Sequence, residues 1–387
     1  MLSKQIKSLS TSMTIAITTL ANDLKAKGED IISFSAGEPD FDTPQVIKEA
    51  AIKAINEGKT KYTAVAGIVE LREEIAKKLK RDNNLNYDPS QIIVSNGAKQ
   101  SLFNLFATVI DEGDEVIIPS PYWVTYPEIV NFFGGKSVVI KTDDKNNFKI
   151  TPKQLQEAIS PKTKLLVLTT PSNPTGSVYS EEELKQIAQI LKGTDILVAS
   201  DEMYEKLVYD IPFTAVASIS EDMFKRTITI NGLSKSVAMT GWRMGYLATP
   251  KSELISSMIK LQSQSTSNIN TITQYASIPA LDGSADKDIE SMRKEFQKRR
   301  DLAVSLFEEC DKLSVIKPDG AFYLFVNIQK ISNNSLKFCE DLLKDKGVAV
   351  IPGIGFGSEG HFRFSFATSE ENIKKGIKRI IEFCEKY

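Results

Sequence analysis

From about Gln91 to Ala248 the chain repeats one pattern of polarity: a short, unbroken apolar run followed by a longer stretch with apolar positions at helical spacing. The runs are Ile92–Val94, Glu115–Ile118, Lys136–Ile140, Leu165–Leu168, Ile196–Ala199, Thr227–Ile230 and Gly245–Ala248. A strand that alternates apolar and polar residues buries one face, whereas an unbroken run is buried on both. Such runs separated by helices predict an α/β fold whose large domain is a mostly parallel seven-stranded sheet sandwiched by helices.

Beyond Asp282–Ser284 the pattern changes. A long charged helical stretch runs through Arg300, followed by a turn at Pro318-Asp319-Gly320, a strand pattern, a helical run around Cys339 and a second strand pattern at Phe362–Phe366. This predicts a smaller α+β domain. At 387 residues the chain exceeds one ordinary core. It divides into an N-terminal segment, 1–44, joining the small domain, a large domain, 45–283, and the small C-terminal domain, 284–387.

Ligands of parallel sheets gather beyond the carboxyl ends of the strands. Polar residues collect there in Ser95–Gln100, Pro119–Trp123, Thr169–Gly176 and Ser200–Tyr204. One cleft can gather all of them.

Composition narrows the chemistry. Hydrophobic and charged contents of 41% and 25% are those of a soluble globular protein, and a net charge of -2 gives no global attraction for nucleic acid or an anionic membrane. Met1–Lys7 lacks the apolar core of a secretory signal and no run is long enough to span a bilayer, so the expected location is cytoplasmic. Cys310, Cys339 and Cys384 are odd in number, far apart and in no Cys-x-x-Cys pair, which reads as packing rather than a disulfide framework or a metal site. The single histidine, His361, stands beside Phe362-Arg363-Phe364 and reads as a strand-edge residue. Another group must move protons.

Lys235 is the candidate. It lies in Ser234-Lys235-Ser236-Val237-Ala238-Met239-Thr240-Gly241-Trp242-Arg243, a loop between two core strands, where functional groups are commonly placed on a rigid scaffold. A lysine beside a small hydroxyl, with an arginine eight positions on, suits an enzyme that holds an aldehyde cofactor covalently and neutralises its phosphate. A solvated surface lysine is the plain alternative. Gly97-Ala98-Lys99 opens a helix whose free amides can receive a phosphate. Asp201 could instead cap a helix, and Asn173-Pro174-Thr175-Gly176 is also an ordinary turn. Arg363, between Phe362 and Phe364, needs a fixed partner, either a structural ion pair or an anionic ligand.

Taken in order and spacing, Ser35-Ala36-Gly37-Glu38-Pro39-Asp40-Phe41, Lys61-Tyr62, Asn173–Gly176, Asp201–Tyr204, Ser234-Lys235 and Arg363 resemble the class I, fold-type I pyridoxal-phosphate-dependent aminotransferases, in their bacterial aspartate aminotransferase branch. The resemblance covers nearly the whole chain. It implies pyridoxal 5'-phosphate held covalently by Lys235, which then carries a proton between substrate Cα and cofactor C4′. It places Asp201 on the pyridine nitrogen, Asn173 and Tyr204 on the 3′ oxygen and Trp123 on the ring face. Gly97, Ala98, Lys99, Ser234, Arg243 and, from the second subunit of a homodimer, Tyr62 would hold the phosphate. Arg363 would bind the substrate α-carboxylate with a backbone contact from Gly37, beside Trp123 and Asn173. Lys99, Ser12 and Thr14 would face the distal carboxylate of aspartate or glutamate.

The reaction implied is transfer of the amino group of L-aspartate to 2-oxoglutarate in a ping-pong cycle, giving oxaloacetate and L-glutamate. Prephenate also carries a second carboxylate, so an arogenate-forming role stays open, and alanine, aromatic or kynurenine transamination and β-lyase chemistry use the same scaffold. A non-catalytic cofactor-binding regulator would need a DNA-binding domain, and the residues ahead of Ser35 show neither a recognition helix nor a basic surplus.

Overall fold

The computed structural model describes residues 1–10 and 13–387. Its strands, in chain order, are β1 (Ile32–Ser33), β2 (Ile92–Asn96), β3 (Glu115–Ser120), β4 (Lys136–Lys141), β5 (Thr163–Thr169), β6 (Leu197–Asp201), β7 (Thr227–Gly232), β8 (Met244–Ala248), β9 (Tyr323–Asn327), β10 (Val348–Ala349), β11 (Ile351–Pro352) and β12 (His361–Ser365).

The runs from β2 to β8 form a single seven-stranded sheet in the order β2-β8-β7-β6-β5-β3-β4. Only β8 is antiparallel to its neighbours, β2 and β7; every other pairing is parallel. Burial explains the unbroken runs: Leu165, Leu166, Val167 and Leu168 are all at most 1% exposed, so both faces of β5 are covered.

Several strands continue past their apolar runs. β2 ends at Asn96, paired with Met244, and β6 ends at Asp201, opposite Thr169 on β5. The polar residues at the carboxyl rim are thus held by ladder hydrogen bonds rather than by loop packing alone, which gives them fixed positions.

A second, antiparallel sheet has the order β11-β12-β9 and packs against the helices Asp286–Phe307 and Ser335–Lys346, with the helix Glu370–Lys386 laid against those two. The early chain is stitched to it. β1 runs parallel to β10, and Phe34 stacks on Phe364 with ring centroids 4.1 Å apart. Gly376 makes this possible, because a Cβ there would lie 2.2 Å from the Phe34 ring. His361 opens β12, the middle strand of that sheet, rather than an edge; it is 4% exposed and its ring stacks on Phe325 at 4.8 Å. Cys310, Cys339 and Cys384 are buried thiols. Among the described residues no helix is long and apolar enough to cross a membrane.

Candidate active site

A cleft of about 1120 Å³ opens between the carboxyl rim of the large sheet, the second sheet and the N-terminal helices. That exceeds the space needed by a single small metabolite. Lys235 projects into it from the connection between β7 and β8, and its ammonium donates to the Gly37 carbonyl. Burial draws the Lys235 ammonium down to about 8; Glu38 and Asp201 oppose the shift, and Arg363 and Arg243 assist it. A useful fraction of the amine is therefore unprotonated and nucleophilic near neutral pH.

Asp201 ends β6 and is 6% exposed. No helix starts after it: residues 203–206 form turns, so a helix-capping role is removed. Its Oδ2 accepts a 2.6 Å hydrogen bond from the Tyr126 hydroxyl and its Oδ1 a 3.3 Å bond from the Met203 amide. Burial raises the carboxyl above its ordinary range, while Tyr126, Met203 and Lys235 hold it back. Tyr204, 5% exposed, places its hydroxyl 2.9 Å from that of Tyr323. Sequence reasoning missed Tyr126 and Tyr323. Each sits in an aromatic cluster whose only local signal is packing.

Gly97, at φ +76°, precedes the helix Ala98–Val109, whose first amides have no acceptor one turn earlier. Gly245 on β8 lies directly beneath: a Cβ there would sit 2.2 Å from the Ala98 nitrogen. The Arg243 guanidinium covers Gly97 and donates to the carbonyls of Thr240 at 3.1 Å and Asn96 at 3.4 Å. Free helix amides beside a guanidinium are donors suited to an anion, and buried Ser234 lines the same cleft.

Lys99 Nζ lies 4.8 Å from the Trp123 ring centroid. Its side chain meets solvent within the cleft, yet the surrounding walls, and then Arg243, lower its ammonium. Arg363, 2% exposed, donates to Asn173 Oδ1 at 3.0 Å and to the Ser35 carbonyl at 2.7 Å, with the Tyr323 ring 4.5 Å from its guanidinium carbon. Its Nε is buried without a partner. The structural ion pair weighed from sequence is absent among the described residues.

Gly37, Ala98, Lys99, Trp123, Asn173, Asp201, Tyr204, Ser234, Lys235, Arg243, Arg363 and Thr14 all line this one cleft. Gly97 abuts it through Arg243. Tyr62 does not: it is 90% exposed on the outer surface. Ser12 lies outside the described residues.

A mostly parallel sheet presenting a lysine, a buried aspartate and free helix amides at its carboxyl rim suits an enzyme that carries an aldehyde cofactor, and similarity to known proteins gives its class as an aminotransferase. The family model for aminotransferase class I and II matches residues 29–380, and the chain belongs to that family. More closely, it is 46% identical to an aspartate aminotransferase of Bacillus subtilis (strain 168), over 100% of this chain and 99% of that one. It is also 46% identical to a probable aspartate/prephenate aminotransferase of Aquifex aeolicus (strain VF5), over 99% and 98%. Among solved structures, the aspartate aminotransferase from Thermus thermophilus with maleate superposes with a TM-score of 0.95 at 42% identity, covering 99% of both chains.

Proposed function

We propose that this chain is a pyridoxal-phosphate-dependent aspartate aminotransferase that passes the amino group of L-aspartate to 2-oxoglutarate. One observation carries the reading: Lys99, Lys235, Arg243 and Arg363 line one cleft, and among the described residues none is ion-paired with a carboxylate. A phosphate and the two carboxylates of a dicarboxylic substrate supply the missing negative charge.

The residues fit the cofactor. The amides of Ala98 and Lys99, with Ser234 and Arg243, would hold its phosphate, Trp123 its ring, Asn173 and Tyr204 its 3′ oxygen and Asp201 its ring nitrogen. Bound pyridoxal phosphate supplies an aldehyde for covalent attachment and a ring that withdraws electrons from substrate Cα. Lys235, lowered to about 8, offers a free amine for attachment and takes and returns the proton at substrate Cα. Asp201, buried and hydrogen-bonded by Tyr126, would hold a proton on the ring nitrogen when its carboxylate is ionised. Arg363 fixes the α-carboxylate through its unoccupied guanidinium edge, with Gly37 beside it. Lys99, which lines the same cleft together with Thr14, would attract the distal carboxylate.

Prephenate is the second reading, favoured by a specific feature. Phe103, Ile15 and Ile354, all more than one-third exposed, give the cleft an apolar wall that suits a carbocyclic substrate with a second carboxylate. A panel of amino donors with 2-oxoglutarate, and of acceptors including prephenate, decides between them. Aspartate with 2-oxoglutarate should show the highest kcat/KM; preference for alanine or phenylalanine would overturn the assignment.

The reading extends to assembly and place. Residues 1–44 and 284–387 are proposed to act as one small domain against 45–283, on the strength of the β1–β10 pairing and the Phe34–Phe364 stack. A homodimer is proposed because exposed Tyr62 can serve the phosphate only of a second copy, and the cytoplasm is proposed as its place because its amino-acid and 2-oxo-acid substrates are metabolites of that compartment. Mixing Lys235→Ala with Tyr62→Ala should regain part of the activity through hybrid sites, and an active strict monomer would remove this proposal.

A further inference from the structure

We propose that Tyr126 is a positioning residue that fixes Asp201 as the anionic partner of the cofactor's ring nitrogen; this rests on the function proposed above. Tyr126 lies on the helix Thr125–Phe132 and is 1% exposed. Its hydroxyl donates to Asp201 Oδ2 at 2.6 Å and lies 2.8 Å from Thr169 Oγ1. A phenol has one proton, so with that proton on the carboxylate it accepts from Thr169. Thr169 and Asp201 are register partners on β5 and β6, which locks the three groups into one frame. The Tyr126 ring also meets Trp123 edge-on, with centroids 5.5 Å apart. One side chain thus braces two walls of the cleft.

The bond matters because Asp201 has little else. Among the described residues its second oxygen receives only the 3.3 Å amide bond from Met203, and the titratable groups that feel its charge, besides Tyr126 itself, are Lys235 and Tyr204. A proton shared by a carboxyl and a pyridine nitrogen settles on the more basic of the two. A hydroxyl donating to the carboxylate makes it less basic and moves the proton onto the ring, where it draws electrons from substrate Cα.

Tyr126→Phe keeps the ring and deletes the hydroxyl. The variant should lose roughly tenfold to hundredfold in kcat, with KM for aspartate changed little. Two further readouts separate positioning from packing. In cofactor-free protein the Asp201 carboxyl, followed by NMR of ¹³C-labelled aspartate and assigned with Asp201→Asn, should titrate roughly one to two pH units higher than in wild type. Reconstituted with N-methylated pyridoxal phosphate, whose ring carries a permanent positive charge, variant and wild type should differ by only about threefold, far inside the span of one such hydrogen bond. An unmoved Asp201 titration, or a deficit that persists with the methylated cofactor, overturns the proposal. Thr169→Val, which removes the donor behind Tyr126, should shift Asp201 in the same direction by less, and decides the matter if Tyr126→Phe does not fold. Absence of transaminase activity in the wild type would sink the functional reading, while the cofactor-free titration still tests Tyr126.

Discussion

Two arginines in this molecule are equally buried and oppositely furnished. Arg300, 0% exposed, lies on the helix Asp286–Phe307 with Nη2 2.8 Å from Asp210 Oδ2 and 2.7 Å from Asp301 Oδ1, though off the hydrogen-bond direction. Its Nε donates to Asp301 Oδ1 at 2.9 Å and its Nη1 to the Pro318 carbonyl at 3.0 Å, over the ring of Tyr209. Arg363, 2% exposed, has two neutral oxygens, a tyrosine face and an Nε with nothing. Burial is the same, so burial cannot be what marks a functional residue; partnering is. A buried cation without counter-charge costs several kcal/mol. It persists where a ligand completes it. Lys78 repeats the first pattern, paired with Glu205 in the interior, and Lys235 repeats the second.

The largest test of this distinction falls on Lys235. Lys235→Ala should abolish turnover by several orders of magnitude, since attachment and proton transfer both vanish. Borohydride reduction and peptide mapping of the wild-type holoenzyme should put a pyridoxyl group on Lys235, and a label on another lysine would refute the assignment. The pH dependence has a definite sign. With its folded value lowered to about 8 from 10.5, Lys235 binds fewer protons in the native state than in the unfolded chain across that interval. This group therefore makes the cofactor-free protein more stable as pH rises from about 8 to 10.5, with the full penalty remaining below 8. Denaturant titrations of wild type and Lys235→Met should converge across that range, the wild type gaining stability relative to the variant as pH rises.

The arginines come next. Arg363→Lys retains the charge but loses the planar fork, so kcat/KM should fall for every amino donor by about 2–5 kcal/mol, with stability within about 1 kcal/mol of wild type. Arg300→Leu should do the reverse. It should cost on the order of 3 kcal/mol of unfolding free energy, the low end for a broken buried pair because both carboxylates are half exposed. Its kcat/KM should stay near that of wild type. If Arg300→Leu loses donor binding while Arg363→Lys loses stability, the distinction collapses.

How much of this was legible from the sequence follows from how far apart the partners lie. The runs that became β2 to β8 were plain because strands buried on both faces need unbroken apolar residues, and Lys235 and Arg363 stood out by motif. Whether Arg363 was ion-paired was not legible: its acceptors, Asn173 and Ser35, are 190 and 328 residues away. Arg300 has one partner next to it in sequence, Asp301, but its burial and its second carboxylate, Asp210, come from a different part of the chain. Tyr126 carries only the spacing of a packed aromatic, and its bond to Asp201 spans 75 residues. The pairing of β1 with β10 involves two residues on each strand, too short for any periodicity to show.

Lys99 sharpens the comparison at its weakest point, because among the described residues it has no carboxylate partner, like Arg363, yet it is reached by solvent and rests on the Trp123 ring. If partnering is the criterion, Lys99 too must meet an anion, and because it lines the same cleft as Arg363 while Arg363 takes the α-carboxylate, that anion is assigned as the distal carboxylate. Lys99→Ser should then depress kcat/KM for aspartate and glutamate by roughly 1.5 to 3 kcal/mol, toward the lower figure because water screens the contact. Alanine and phenylalanine, which have no distal carboxylate, should be nearly unaffected, and raising the ionic strength should narrow the gap between the two sets of donors in the wild type but not in the variant. A uniform loss for all donors would assign Lys99 to the phosphate cradle at the start of its own helix instead. The dicarboxylate preference would then rest on Thr14 and the neighbouring N-terminal residues, and the cation that solvent can reach would have to be counted with the cofactor rather than with the substrate.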